Sequence, residues 1–164
     1  MVTKVKIVFN SSPLIFLTKL DFLEKIVDTL DEFYLPKIVI TEIKAKQDEA
    51  SQRINRLINE NQIEVKTVNL ISLANSLNAR LGKGESEAIA LATEIQADYV
   101  ILDDFTARKE ATRLGLKVKG TLAIIRKLSV EGTIVIDNFD DLYQRLMEIN
   151  FRVKRSVFDA IFTE

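Results

Sequence analysis

Polar side chains fall in this sequence at the places where chemistry is usually done. Asp103-Asp104 follows the short apolar run Tyr99–Leu102, Asn10-Ser11-Ser12 follows Val5–Phe9, and Thr121 follows the short run around Val118. Asn, Asp and Ser in such places can simply cap the next helix, but of two adjacent acids only one can be the cap. Two helical acids join them. With the 84–96 segment wound at about 100° per residue, Ala88, Ile89, Leu91, Ala92 and Ile95 define an apolar face, Glu85 lies about 50° from its centre and Glu87 about 110° away. Glu42 falls inside the arc of Ile38, Val39 and Ile43 in the same way. A carboxylate turned toward a core is costly unless it is paired or holds a metal ion. The plainer alternatives are a salt bridge to a nearby Lys or Arg and, for Glu85, the attraction of a helix N-terminus for negative charge.

Composition narrows the chemistry. The chain has no His and no Cys. That excludes disulfides, thiol nucleophiles, Cys/His zinc sites, Ser-His-Asp triads and imidazole-driven ribonuclease chemistry. Carboxylate and amide oxygens without nitrogen or sulfur partners favour hard cations such as Mg²⁺ or Mn²⁺. The formal net charge is -1. No global field attracts a polyanion, so nucleic acid would need a local basic patch.

The elements that must position these residues alternate. Val5–Phe9, Phe33–Leu35, Ile63–Thr67, Tyr99–Leu102 and Val118 read as short strands. Helical segments lie between them: from Ser11 or Ser12 as N-cap with Pro13 in the first turn, then about Phe22–Leu30, from Pro36, about Asp48–Asn59, Leu70–Leu81, Gly84–Gln96, Phe105–Leu114 closed by Gly115, and from Thr121 to about Val130. Such alternation implies a parallel sheet covered on both faces, with ligands beyond the carboxyl ends of the strands. With 164 residues, 47% of them apolar, the expectation is a single domain over 1–164 with its own core. Its core spans about 4–132, and a helical extension of about 138–164 packs for shape or association without joining the site. Leu142, Leu146, Ile149, Phe151, Phe158 and Phe162 exceed what two small exposed helices need, which suggests a homodimer contact. No apolar run is long enough to span a bilayer, and Met1–Ile7 lacks a signal-peptide core, so the expected location is cytoplasmic, away from membranes.

Four stretches together resemble the PIN-domain superfamily. They are Asn10-Ser11-Ser12-Pro13-Leu14-Ile15, then Leu81-Gly82-Lys83-Gly84-Glu85-Ser86-Glu87-Ala88-Ile89-Ala90, then Leu102-Asp103-Asp104 through Ala107-Arg108, and Gly120-Thr121. The branch resembled often opens with "NSSPLI", and the resemblance runs from about Lys6 to Val130. It implies a three-layer α/β/α fold with a central parallel sheet of four to five strands. It also implies an acid cluster that binds Mg²⁺ or Mn²⁺ and cleaves RNA, as in VapC-like toxins neutralised by an antitoxin. Glu42, Glu85 and Asp104 match the family's catalytic acids; Asn10, with Asp103 as an extra ligand, completes the implied metal set. Asn10 departs from the usual Asp and brings no charge. Ser11, Ser12, Lys83, Arg108 and Thr121 are the implied substrate contacts, with Arg80, Lys109 and Arg113 as further cations for an RNA strand.

Two functions compete on this sequence. The retained acids favour a ribonuclease. Asn10 favours a weakened module that binds RNA or a protein partner without cutting. A receiver domain would need an isolated Asp closing a central strand and a later Lys, and that set is not found. A dinucleotide-binding fold would need Gly-x-Gly-x-x-Gly after the first strand, and it is absent.

Overall fold

Period-two alternation in the first strand explains the layering. In β1 (Lys6–Phe9), Ile7 and Phe9 enter one apolar cluster and Val8 enters another, so both faces of the strand are buried. The computed structural model describes residues 4–29 and 31–163. Leu30, where the second helix was expected to end, and Met1–Thr3 of the N-terminal segment lie outside the described residues.

Among the described residues five strands form one all-parallel sheet: β1, β2 (Glu32–Pro36), β3 (Glu64–Lys66), β4 (Tyr99–Ile101) and β5 (Val118–Lys119), in the order β3-β2-β1-β4-β5. The chain steps outward from β1 to β3, then returns to β4 on the other side of β1. The strand order therefore reverses between β1 and β4, and the crevice beyond their carboxyl ends is where such sheets bind ligands.

Ten helices flank the sheet in the described residues. One face carries α1 (Ser11–Lys19), α2 (Leu23–Val27), α3 (Lys37–Lys44), α4 (Glu49–Asn59), α8 (Thr121–Val130), α9 (Phe139–Glu148) and α10 (Arg155–Phe162). The other carries α5 (Ile71–Asn78), α6 (Lys83–Glu94) and α7 (Phe105–Arg113). The three-layer α/β/α fold with a parallel sheet is thus observed. The small residues Ala88, Ala90 and Ala92 are fully buried, which lets α6 lie close against β1, β2 and β4. Two caps differ from the sequence reading. Asn10, not a serine, precedes α1, and Pro36 ends β2 in extended backbone before α3 begins. Gly115, at φ +85°, supplies the left-handed residue that closes α7.

The apolar residues of the C-terminal region are absorbed by the chain itself. Leu142, Leu146 and Phe158 are buried in the first cluster, and Phe158 packs its ring on Tyr143 and Phe162. The surplus that suggested a dimer contact is therefore mostly internal packing. No helix among the described residues is long and apolar enough to cross a membrane.

Candidate functional site

Asn10 occupies the end of β1, where its backbone N–H donates to the Ile101 carbonyl at 3.2 Å. It stands at the N-cap position of α1 in extended backbone, yet its side chain caps nothing. The residue is 6% exposed, and its Oδ1 has no hydrogen-bond partner among the described residues. A buried, unsatisfied amide oxygen costs on the order of 1–3 kcal/mol. A hard cation or an ordered water facing this oxygen would offset that cost.

Three acids surround the neighbouring edge. Ser11 donates a hydrogen bond to Glu42. Glu42 projects from α3 onto the first turn of α6, where Gly84 leaves room for it: a Cβ at position 84 would lie 2.9 Å from the Glu42 carboxyl carbon. Glu85, in that same turn, accepts from the Gly82 N–H at 3.1 Å. Asp104 caps α7 by accepting from the Ala107 N–H at 2.9 Å. The Glu42 carboxyl is pushed up by burial and then by the facing charge of Glu87. The Glu85 carboxyl is pushed up by burial, against the bond from Gly82, and by the charges of Asp104 and Glu42. Among the described residues none of these acids has an ion-pair partner. The plain salt-bridge alternative is therefore not what the fold chose. Glu85 and Asp104 nonetheless do cap their helices while facing each other.

Asp103 turns elsewhere. Both its oxygens are taken by Thr121, from the backbone N–H at 2.8 Å and the hydroxyl at 2.6 Å, so it ties β4 to the start of α8. Burial raises its pKa; the Thr121 bonds and Arg108 oppose that rise. Thr121 is thus committed to Asp103, Ser12 and Lys83 are exposed, and Arg108 lies beside Asp103. Arg80 and Arg113 are held by Glu110. Among the described residues no three carboxylates converge into a ready-made cage. Mg²⁺ does not require one, since it keeps several waters and is commonly held by one or two carboxylates with substrate phosphate. The residues present fit such an ion: Glu42 and Glu85 as charged ligands, Asp104 beside Glu85, and the orphaned Asn10 oxygen.

Sequence reasoning put Glu87 at a helix margin and outside the site, yet its charge faces Glu42. It also kept the C-terminal region away from the site. Phe151, Arg152 and Val153, with Val157 and Ile161 of α10, line a cavity that also takes in Asp103, Arg108 and Gly120. The segment between α9 and α10 folds back over α1, where Phe151 meets the Phe16 ring edge-on at 5.0 Å.

These carboxyl shifts predict how stability depends on pH. Where folding raises a carboxyl pKa, the folded chain holds protons the unfolded chain has released. The stability this brings is fully present below the unfolded value and is lost as the pH rises through the folded value. The contribution of Glu42, Glu85 and Asp103 therefore makes the metal-free protein melt at a lower temperature at neutral than at mildly acidic pH. Calorimetry across that range checks this, and Mn²⁺ should raise the neutral melting temperature more than the acidic one.

The site is thus a set of acids without ion-pair partners among the described residues, at the switch point of a parallel α/β sheet. A family model described as PIN domain matches residues 6–164, and the chain belongs to that family. The match takes in the C-terminal helices, beyond the span over which the motifs had suggested it. No curated protein matches the chain.

Proposed function

We propose that this PIN domain is a Mg²⁺- or Mn²⁺-dependent endoribonuclease that hydrolyses phosphodiester bonds in RNA. The unsatisfied Asn10 oxygen carries the reading: burying it beside a carboxylate edge without a partner is intelligible if a cation sits there. Asn10, Glu42 and Glu85 would hold the ion, with Asp104 adjoining and Asp103 holding the α8 side of the mouth. When bound, the ion supplies positive charge to the scissile phosphate and acidifies the attacking water.

The chain's own groups do the rest. Glu85 would accept the proton of the attacking water, and Asp104 would orient that water. Ser11 fixes the Glu42 carboxylate by hydrogen bond. Lys83 and Arg108 offer charge to the phosphates, while Ser12 is an accessible hydroxyl at the α1 entrance. A cytoplasmic toxin restrained by an antitoxin is the biological setting this activity would fit.

One observation favours a second reading. Asn10 brings no charge and both oxygens of Asp103 are already engaged, which suits a weakened module that binds RNA or a protein partner without cutting. Calorimetric Mn²⁺ titration beside a cleavage assay on single-stranded RNA separates them. Saturable Mn²⁺ binding with Mn²⁺-dependent cleavage is the expected result. Absence of both overturns the nuclease reading and leaves the binding module.

A further inference from the structure

The cavity between α1, α8 and the 151–153 segment is an opening of about 490 Å³, within the size range of small-molecule sites. Phe16, Phe151 and Val157 form an apolar wall, and Val157 is 48% exposed there without a covering residue of its own. Two guanidiniums, Arg108 and Arg152, share its lining. Arg152 is exposed and has no ion pair among the described residues, whereas Arg80, Arg113, Arg53 and Arg155 are each held by an acid. Asp103 also lines the cavity and its charge faces Arg108, so Arg152 is the cation left to a ligand.

Apolar ring-sized wall, positive rim and position are the three features to be explained together. The cavity shares Asp103 with the strand end that carries Asp104. A purely apolar protein segment would leave the Arg152 guanidinium desolvated and unpaired, which is unfavourable, whereas Arg108 already donates to the Leu102 carbonyl at 3.4 Å. A nucleotide uses both kinds of surface: the base lies on apolar and aromatic side chains, and the phosphate takes the guanidinium.

We propose that this cavity is a subsite for one nucleotide of single-stranded RNA, with the base against Phe16, Phe151 and Val157 and its phosphate on Arg152. The subsite is built by the C-terminal segment, so that segment sets how a strand enters the acidic edge. The inference rests on the ribonuclease reading for its substrate class, but binding tests it without any cleavage.

Short oligouridylate and oligoadenylate are titrated into the metal-free full chain while the methyl resonances of Val153, Val157 and Ile161 are followed. The expected result is a saturable shift of those methyls. Arg152→Ala, at an exposed loop position, weakens binding about tenfold and lowers the dependence of log affinity on log salt by about one. Arg152→Lys restores the salt dependence, and Ala123→Phe, which fills the cavity, removes the methyl shifts. Methyls that do not move, or affinity and salt slope unchanged in Arg152→Ala, overturn the subsite. A response to an apolar peptide but not to either oligonucleotide overturns it equally. Cleavage by the wild type that Arg152→Ala leaves intact sinks the subsite alone. Methyl shifts that persist where neither Mn²⁺ binding nor cleavage occurs sink the nuclease reading alone.

Discussion

Glu85→Gln is expected to lower Mn²⁺-dependent RNA cleavage by about 10²–10⁴-fold, the range over which a positioned general base contributes, while raising the melting temperature of the metal-free protein. The two effects have opposite sign for one reason. Glu85 lies among Asp104 and Glu42 with no cation paired to it among the described residues, and burial and those charges resist its ionisation. A neutral amide removes the repulsion. Its carbonyl oxygen can still accept from the Gly82 N–H, so the helix start survives. The variant also flattens the fall of stability between mildly acidic and neutral pH. A merely structural Glu85 predicts something else: Gln keeps the cap, and cleavage stays near wild type. Cleavage kinetics beside calorimetry on the same preparation read both effects, and unchanged kcat with unchanged Mn²⁺ affinity would remove Glu85 from the site.

Much of this architecture was legible because it is local. Strand runs such as Tyr99–Leu102 and the apolar face of the 84–96 helix are written in period two and period 3.6, and the observed β4 and α6 differ from them only at their ends. The strand-end rule led to Asn10 and Asp104, and helix-face geometry led to Glu85. What stayed hidden depends on contacts distant in sequence. Asp103 and its neighbour Asp104 are alike in type, yet one caps α7 and the other reaches Thr121, 18 residues on. Only the pairing of β4 with β5, which runs into α8, decides which does which. Glu42 looked like a core-facing acid; its residue remains exposed, and it meets the site because Gly84 leaves space across α3 and α6.

The C-terminal region shows the same limit. Its helices are amphipathic, and a pattern of Leu142, Leu146 and Phe158 is equally consistent with a partner or with the chain's own core. The fold resolves it: those side chains are buried against the layer that holds α1 and α8. One consequence was out of reach of pattern reading. Docking α9 and α10 there brings Arg152 and Phe151 to the cavity that Asp103 and Arg108 also line.

Asn10→Asp should tighten Mn²⁺ binding by about tenfold and destabilise the metal-free fold. The position is 6% exposed, with its oxygen unpartnered among the described residues. Replacing the amide with a carboxylate adds a charge to an edge already populated by Glu42, Glu85 and Asp104, with no Lys or Arg paired to those acids. Without a cation, that charge is either buried unpaired or held protonated, and both disfavour the ionised fold. With a cation it becomes a ligand, and ligand charge count tunes affinity for hard cations. A charged rather than neutral contact is worth about 1–2 kcal/mol more, which is about tenfold in affinity. The melting temperature should therefore fall in the metal-free variant and recover at saturating Mn²⁺, and the recovery should shrink as the pH is lowered and the new carboxyl is protonated. Titration calorimetry, thermal melts with and without Mn²⁺, and RNA cleavage on both forms make the comparison. Equal Mn²⁺ affinity and equal cleavage in the two would show that the oxygen of Asn10 does not face the ion, and the explanation given for its unsatisfied burial would fall with it.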